Sequence, residues 1–363
     1  IYKDFQKWGF EGSNQSLKTS ITGNYQGLFE PKQQFQPKQT QASTRMSEIQ
    51  ELIKSNTEKI SWSSTLASGL YAPVDYVMSL GGKRIRPSLL LMSADAFGAN
   101  PKDFMNQALA IEVFHNFTLL HDDVMDNAPV RRGKPTVHVK WSESTAILSG
   151  DAMLIKAYEL LADGIPDDKL PSVLALFSRT AREVCEGQQL DMEFESRNDV
   201  AESEYLEMIR LKTAVLLAAS LRIGAMLAGA DNDKADFIYE FGINIGLAFQ
   251  LKDDLLDVYG DPDSFGKQVG GDIKERKKTF LLINAYAKAT ASQRERLDAL
   301  LAEDDVDVKA VTEIYDEIDV KSICEAKMSE CLDKGLAALA KTELGDRAKQ
   351  LENLACVLMD RKV

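Results

Sequence analysis

Nowhere in these 363 residues does a run of about 18 uninterrupted apolar side chains occur, so no stretch reads as a membrane-spanning helix. The N-terminus also lacks the charged-then-apolar order of a signal peptide. These two absences predict a soluble, cytoplasmic protein. Positive charge is in short supply: the net charge of −13 argues against a surface that grips nucleic acid or anionic membrane broadly, while leaving room for a local basic pocket. The four cysteines, Cys185, Cys324, Cys331 and Cys356, have no metal-ligand spacing and read as ordinary thiols of a reducing compartment. Proline is missing between Pro171 and Pro262 and again after Pro262, which disfavours a turn-rich sheet protein and suits long helices.

What is present is apolar content of 44%, ample for one large core. Residues 1 to 45 stand apart, with eight Gln and six basic against three acidic residues. They read as an N-terminal extension of unassigned role, apart from a short alternation over 21 to 29 that hints at strand. Met46 opens a strongly helical stretch, so a single folded domain is placed at 46–363. Helices are predicted near 63–80, 84–97, 103–124, 143–162, 169–195, 202–229 and 232–258, with shorter ones after them. Val137, Val139 and Trp141 alternate over too few residues to make a sheet. No repeat of solenoid length is visible, and the fold class is all-α.

Two copies of one acidic pattern, Asp122-Asp123-Val124-Met125-Asp126 and Asp253-Asp254-Leu255-Leu256-Asp257, lie 131 residues apart. On a helix, residues four apart share a face about 6 Å apart along the axis, so Asp122 and Asp126 can point into one site with Asp123 beside them. A single carboxylate run is ordinarily a solvated helix face. Here each follows an apolar helical run, Phe114 to Leu120 and Ile243 to Phe249, which places both where a buried helix meets a cavity. Carboxylates so placed require cations, and all-oxygen ligation suits Mg²⁺, which shares its remaining positions with water and phosphate oxygens. A diphosphate substrate follows.

Basic clusters alternate with the acidic ones. Gly81-Gly82-Lys83-Arg84-Ile85-Arg86-Pro87 reads as a helix start able to hold an anion, through free backbone N–H groups and charged contacts from Lys83 and Arg86. Arg131 and Arg132 follow the first motif, and Lys267 and Lys277 follow the second. His115, seven residues before Asp122, lies on nearly the same face and could reach a phosphate or serve the core, whereas His121 reads as structural. Glu112 and His115 also match the Glu-x-x-His of di-iron bundles, but neither His121 nor His138 supplies the required second copy.

With these residues in order, the chain resembles the trans-isoprenyl diphosphate synthases, or polyprenyl synthetases. The resemblance spans nearly all of 46–363. It rests on Gly81 to Pro87, His121 to Asp126, Arg131 to Pro135, Gly187-Gln188-Gln189-Leu190-Asp191, Lys212-Thr213, Gln250 to Asp257, and Gly266-Lys267 through Lys277-Lys278-Thr279. It implies an antiparallel helical bundle around a deep central cavity, usually in a homodimer. It further implies that Asp122, Asp123, Asp126, Asp253, Asp254 and Asp257 hold Mg²⁺ on an allylic diphosphate that Arg131, Lys212 and Lys267 also contact. Lys83, Arg86, His115 and Arg132 would hold isopentenyl diphosphate. Thr213 and Gln250 would line the allylic site, and Lys277 would lie near its mouth. Residues 1 to 45 have no counterpart in the family pattern.

The implied reaction is a head-to-tail condensation: diphosphate leaves the allylic carbon, the isopentenyl double bond attacks the cation, and a proton is lost. Phe117 and Thr118, five and four residues before Asp122, stand where family members set product length. A lone aromatic there without an insertion in the motif resembles synthases of geranylgeranyl diphosphate. Farnesyl diphosphate or a longer polyprenyl diphosphate is the alternative product. A class I terpene cyclase would need no second phosphate pocket, and a non-catalytic partner subunit tends to lose aspartates that this chain retains.

Overall fold

A computed structural model describes residues 41–62, 66–261 and 269–359. Helices α1 (Gln41–Thr57), α2 (Ser68–Ser79), α3 (Ile85–Ala96) and α4 (Met105–Met125) come first. A two-residue hairpin, β1 (Val130–Arg131) and β2 (Lys134–Pro135), pairs Arg131 with Lys134 and is followed by the single turn α5 (Val137–Lys140). Then come α6 (Glu143–Ala162), α7 (Leu170–Glu195), α8 (Glu202–Ile209), a π turn at Arg210–Ala214, α9 (Val215–Leu227) and α10 (Asn232–Tyr259). The last elements are α11 (Gly271–Lys274), α12 (Phe280–Lys288), α13 (Ala291–Ala302), α14 (Val308–Ile318), α15 (Val320–Ala340) and α16 (Lys349–Met359).

Local chemistry accounts for many of the helix starts. Ser142, Asp231, Thr279 and Asp307 each accept a backbone N–H three residues on, and Thr290 with Gln293 forms a reciprocal capping box. Proline at the first turn of α7 costs no hydrogen bond there. The expected helices match closely, with three differences. The stretch 202–229 is not one helix, because the π turn separates α8 from α9. Residues 137–140 form a helical turn. Helix α1 begins at Gln41, so a boundary at 45/46 falls within it; the strand hint at 21–29 lies outside the described residues. Among the described residues, no helix is long and apolar enough to cross a membrane.

The most extensive packing joins α4 to α6, α10 to α15, and α9 to both α3 and α10. One continuous apolar core runs through α3, α4, α7, α9 and α10, so both acidic motifs sit on helices anchored in the centre of the bundle. Helix α4 is buried from Gln107 through Leu120 on every face, and solvent exposure returns only at its last turn. A helix buried all round is fixed in rotation and height, which holds its terminal aspartates in place.

Candidate active site

The two acidic motifs meet at one cavity. A space of about 230 Å³ is lined by Met125 and Asp126 from the end of α4 and Asp254 from α10, with Asp191, Tyr205, Asp272 and Lys277 around them. Asp122 lies one turn deeper on α4, where burial raises its carboxyl to about 7 against the pull of Lys212 and Arg131. Its Oδ2 is buried with no hydrogen-bond partner among the described residues. Asp126 is exposed at the helix end.

The remaining aspartates are engaged differently. Asp123 takes a two-pronged contact from Arg131, Nε to Oδ2 at 2.7 Å and Nη2 to Oδ1 at 2.8 Å, because the hairpin after α4 folds Arg131 back onto it. Burial still lifts the Asp123 carboxyl above the usual carboxylate range. Asp257 accepts the backbone N–H of Asp272 at 2.9 Å and so fastens α11 to the end of α10. Asp254 accepts from the Tyr205 hydroxyl, the Phe280 N–H and the Gln250 amide. Burial, then the charge of Asp272, pushes its carboxyl up to about 7 against those three donors. Asp253 is buried beside it. Among the described residues no three acidic, histidine or cysteine side chains form a ready-made metal cage. The orphaned Oδ2 of Asp122, with Asp126 one turn on, is an all-oxygen donor set that fits a hard divalent cation.

Lys212 and Thr213 occupy the π turn. Lys212 is buried and ion-paired to Asp191 at 2.6 Å. Burial would raise the Asp191 carboxyl, but the lysine outweighs it and holds the carboxyl low. A Cβ on Gly187 would stand 2.4 Å from the Lys212 backbone nitrogen, so only glycine lets α7 approach the turn this closely. The Thr213 hydroxyl is buried with no hydrogen-bond partner among the described residues. Lys277, at the cavity rim, pairs with Asp272 at 3.4 Å and Glu275 at 3.0 Å; these acids overcome burial and keep it charged. Lys267 lies outside the described residues.

A second cluster, of cationic groups, gathers at the loop before α3. Gly82 has φ of +147°, and a Cβ there would meet the Arg132 guanidinium at 2.9 Å, so the glycine admits Arg132 against the loop before α3. Arg86 Nη1 lies 3.3 Å from His115 Nε2. Burial and then the charges of Arg86, Arg132 and Arg131 hold the His115 imidazole well below its ordinary range, hence neutral. The Lys83 carbonyl accepts from Gln50 at 2.7 Å, which ties the loop to α1. Arg86, His115 and Arg132 are therefore neighbours although they come from three segments.

Below the first motif, Phe117 is buried with its ring 4.8 Å from His121 and 5.5 Å from Phe114, and Thr118 donates to the His115 carbonyl. His121 meets the Ile147 carbonyl at 3.0 Å, in keeping with a structural role. Two site residues escape sequence reasoning. Asp191 lies within a stretch that the resemblance includes, but nothing local shows that it pairs with Lys212. Tyr205 sits two turns before Lys212, with no motif to mark it.

The polyprenyl synthetase family profile matches residues 67–318. The geranylgeranyl diphosphate synthase of Methanosarcina mazei is 42% identical over 267 residues, covering 73% of this chain and 82% of that protein. A crystal structure of a geranylgeranyl pyrophosphate synthase superposes with a TM-score of 0.81 at 44% identity, covering 89% of this chain and 99% of its own. That of the Pyrococcus horikoshii geranylgeranyl pyrophosphate synthetase gives 0.81 at 33% identity, covering 88% and 99%. The chain belongs to the polyprenyl synthetase family.

Proposed function

We propose that this chain is a short-chain trans-prenyltransferase that condenses isopentenyl diphosphate with an allylic diphosphate and releases geranylgeranyl diphosphate. The observation that carries the reading is the pairing of two phosphate sites of opposite design. One is the carboxylate-lined cavity at Asp126, Asp191, Asp254 and Asp272, with Asp122 one turn deeper, and the other is the cationic cluster of Arg86, His115 and Arg132. A terpene cyclase has no use for the second. The relatives named as geranylgeranyl diphosphate synthases support the product.

Asp122 and Asp126 are the carboxylates best suited to hold Mg²⁺, since Asp122 Oδ2 has no hydrogen-bond partner among the described residues and Asp126 is exposed at the cavity, whereas Asp123, Asp254 and Asp257 accept from protein donors. From the second motif, Asp253 would join them. Bound with the allylic diphosphate, these ions would neutralise the charge that gathers on the leaving oxygens. Lys212 would add its charge to the same oxygens, and so would Arg131 and Lys267. Arg86, Lys83, Arg132 and neutral His115 would hold the second diphosphate, with His115 acting as a hydrogen-bonding group. Thr213 and Gln250 would face the allylic carbon. The all-round burial of α4 would keep water from the cation. Exposed Ile147, Leu148 and Ile155 on α6 suit a homodimer contact, and the four free thiols suit a reducing cytoplasm. We take residues 46–363 as the catalytic unit.

The test is turnover of isopentenyl and farnesyl diphosphates by the purified chain alone, with products identified after dephosphorylation. A C20 alcohol is expected; release of a cyclised hydrocarbon, or no condensation without a second protein, overturns the proposal.

A further inference from the structure

Asp254 is tied to three elements at once. The Tyr205 hydroxyl on α8 and the backbone N–H of Phe280, first residue of α12, both donate to its Oδ2, the latter at 3.2 Å. Gln250, one turn earlier on α10, donates to Oδ1 at 3.3 Å. All three partners donate, so both carboxylate oxygens serve as acceptors that hold the three elements together. Tyr205 and Asp254 are 1% and 3% exposed, and the Tyr205 ring tilts against Phe280 with centroids 6.5 Å apart. Both residues nevertheless line the cavity that Asp126, Asp191 and Lys277 share.

Each tied element carries a charged group toward that cavity. Helix α8 runs directly into the π turn that presents Lys212, and α12 is preceded by Lys277 and Lys278. The positions of these three lysines relative to the α10 aspartates therefore follow the elements that the Asp254 nest joins. We propose that Tyr205 is a positioning residue of the prenyl-transfer reaction, and that Asp254 is the pivot of a clamp joining α8, α10 and α12 rather than a metal ligand. The proposal rests on the prenyltransferase reading. A metal ion at Asp254 Oδ2 would have to displace the Tyr205 hydroxyl or the Phe280 N–H, and one at Oδ1 would compete with the Gln250 amide, at a residue only 3% exposed. Asp122 and Asp126 demand no such displacement.

The experiment compares Tyr205→Phe, Asp254→Asn and the double variant in the full chain. Three quantities are measured: kcat, the Mg²⁺ concentration giving half-maximal rate, and amide hydrogen exchange across residues 277–282. Tyr205→Phe removes one donor without changing shape, and Asp254→Asn sets an amide against donors that need an acceptor. Each single variant is expected to lower kcat about tenfold or more while the half-saturating Mg²⁺ stays within about twofold. The double variant should be no slower than the slower single, because both changes break one network. Exchange at 277–282 should accelerate in all three.

A tenfold rise in the Mg²⁺ requirement for Asp254→Asn, with Tyr205→Phe unaffected, would make Asp254 a ligand and overturn the proposal. Multiplicative losses in the double variant, or full kcat in Tyr205→Phe, would also overturn it. Hydrogen exchange needs no turnover, so it decides the clamp even if the wild-type chain fails to condense these substrates: unchanged exchange refutes the clamp, and absent condensation refutes the functional reading.

Discussion

Replacing Phe117 with alanine tests whether this side chain closes the space available to the growing product. Phe117 lies five residues before Asp122, about 7.5 Å along α4 at 1.5 Å per residue, and so well below the reacting end. Its ring packs edge-on against His121 and tilts against Phe114, which meets Phe177 at 5.2 Å. Truncation removes a six-membered ring from this aromatic cluster. If the void stays empty, the loss should be about 3–5 kcal/mol of stability. If the void opens to the product cavity, one further five-carbon unit is close in size to the lost ring. Burying it recovers about 4 kcal/mol, at roughly 0.8 kcal/mol per carbon. The two terms nearly cancel, so elongation by at least one unit should become favourable while the Mg²⁺ requirement is unchanged. Chromatography of dephosphorylated products from wild type and Phe117→Ala reads the outcome, with thermal melting as a check on folding. A folded variant with an unchanged product distribution would show that Phe117 is packing alone and that product length is set elsewhere.

Other outcomes follow from the same geometry. Chelation of Mg²⁺ should abolish condensation, and Asp122→Asn or Asp253→Asn should each lower turnover by several orders of magnitude without unfolding the chain; near-native rates in either would refute the carboxylate site. Lys83→Ala or Arg86→Ala should weaken isopentenyl diphosphate binding by about 1.5–3 kcal/mol and leave the allylic substrate almost untouched, as separate titrations of the two substrates would reveal. Burial raises Asp122 to about 7 in the metal-free fold, above an unfolded carboxylate near 4. The folded state therefore binds the extra proton, and this contribution to stability is complete at low pH and lost as pH rises toward 7. Melting in chelator should accordingly be more stable at pH 5 than at pH 8 in wild type, by a margin that shrinks in Asp122→Asn; an equal margin in the two would remove Asp122 from that role.

The parts of the site that could be read in sequence are those whose geometry is local. Asp122 and Asp126 share a face because a helix puts them there, and the glycines at 81 and 82 mark the loop that admits Arg132. Helix extents were legible because apolar periodicity and absent proline act within a few turns. What escaped depends on distant partners. Tyr205 meets Asp254 across 49 residues of chain, and only the packing of α8 on α10 brings them together. The pairing of Arg131 with Asp123 needs the hairpin, and the pairing of Lys212 with Asp191 needs α7 to approach at Gly187. The π turn has no glycine or proline to announce it; it is stabilised by its neighbours rather than by its own residues.

The cationic cluster around Gly82 and Arg132 is set in a chain of net charge −13. Two anionic substrates must therefore reach one protein by different physical routes. One is drawn over the last several ångströms by fixed guanidinium charge, against the far field of the whole molecule. On the proposed reading, the other approaches a cavity where Asp126, Asp191, Asp254 and Asp272 outnumber the lysines, and divalent cations arriving with it would offset that repulsion. Ionic strength consequently acts on the two encounters with opposite sign at close range, screening attraction in the first and repulsion in the second.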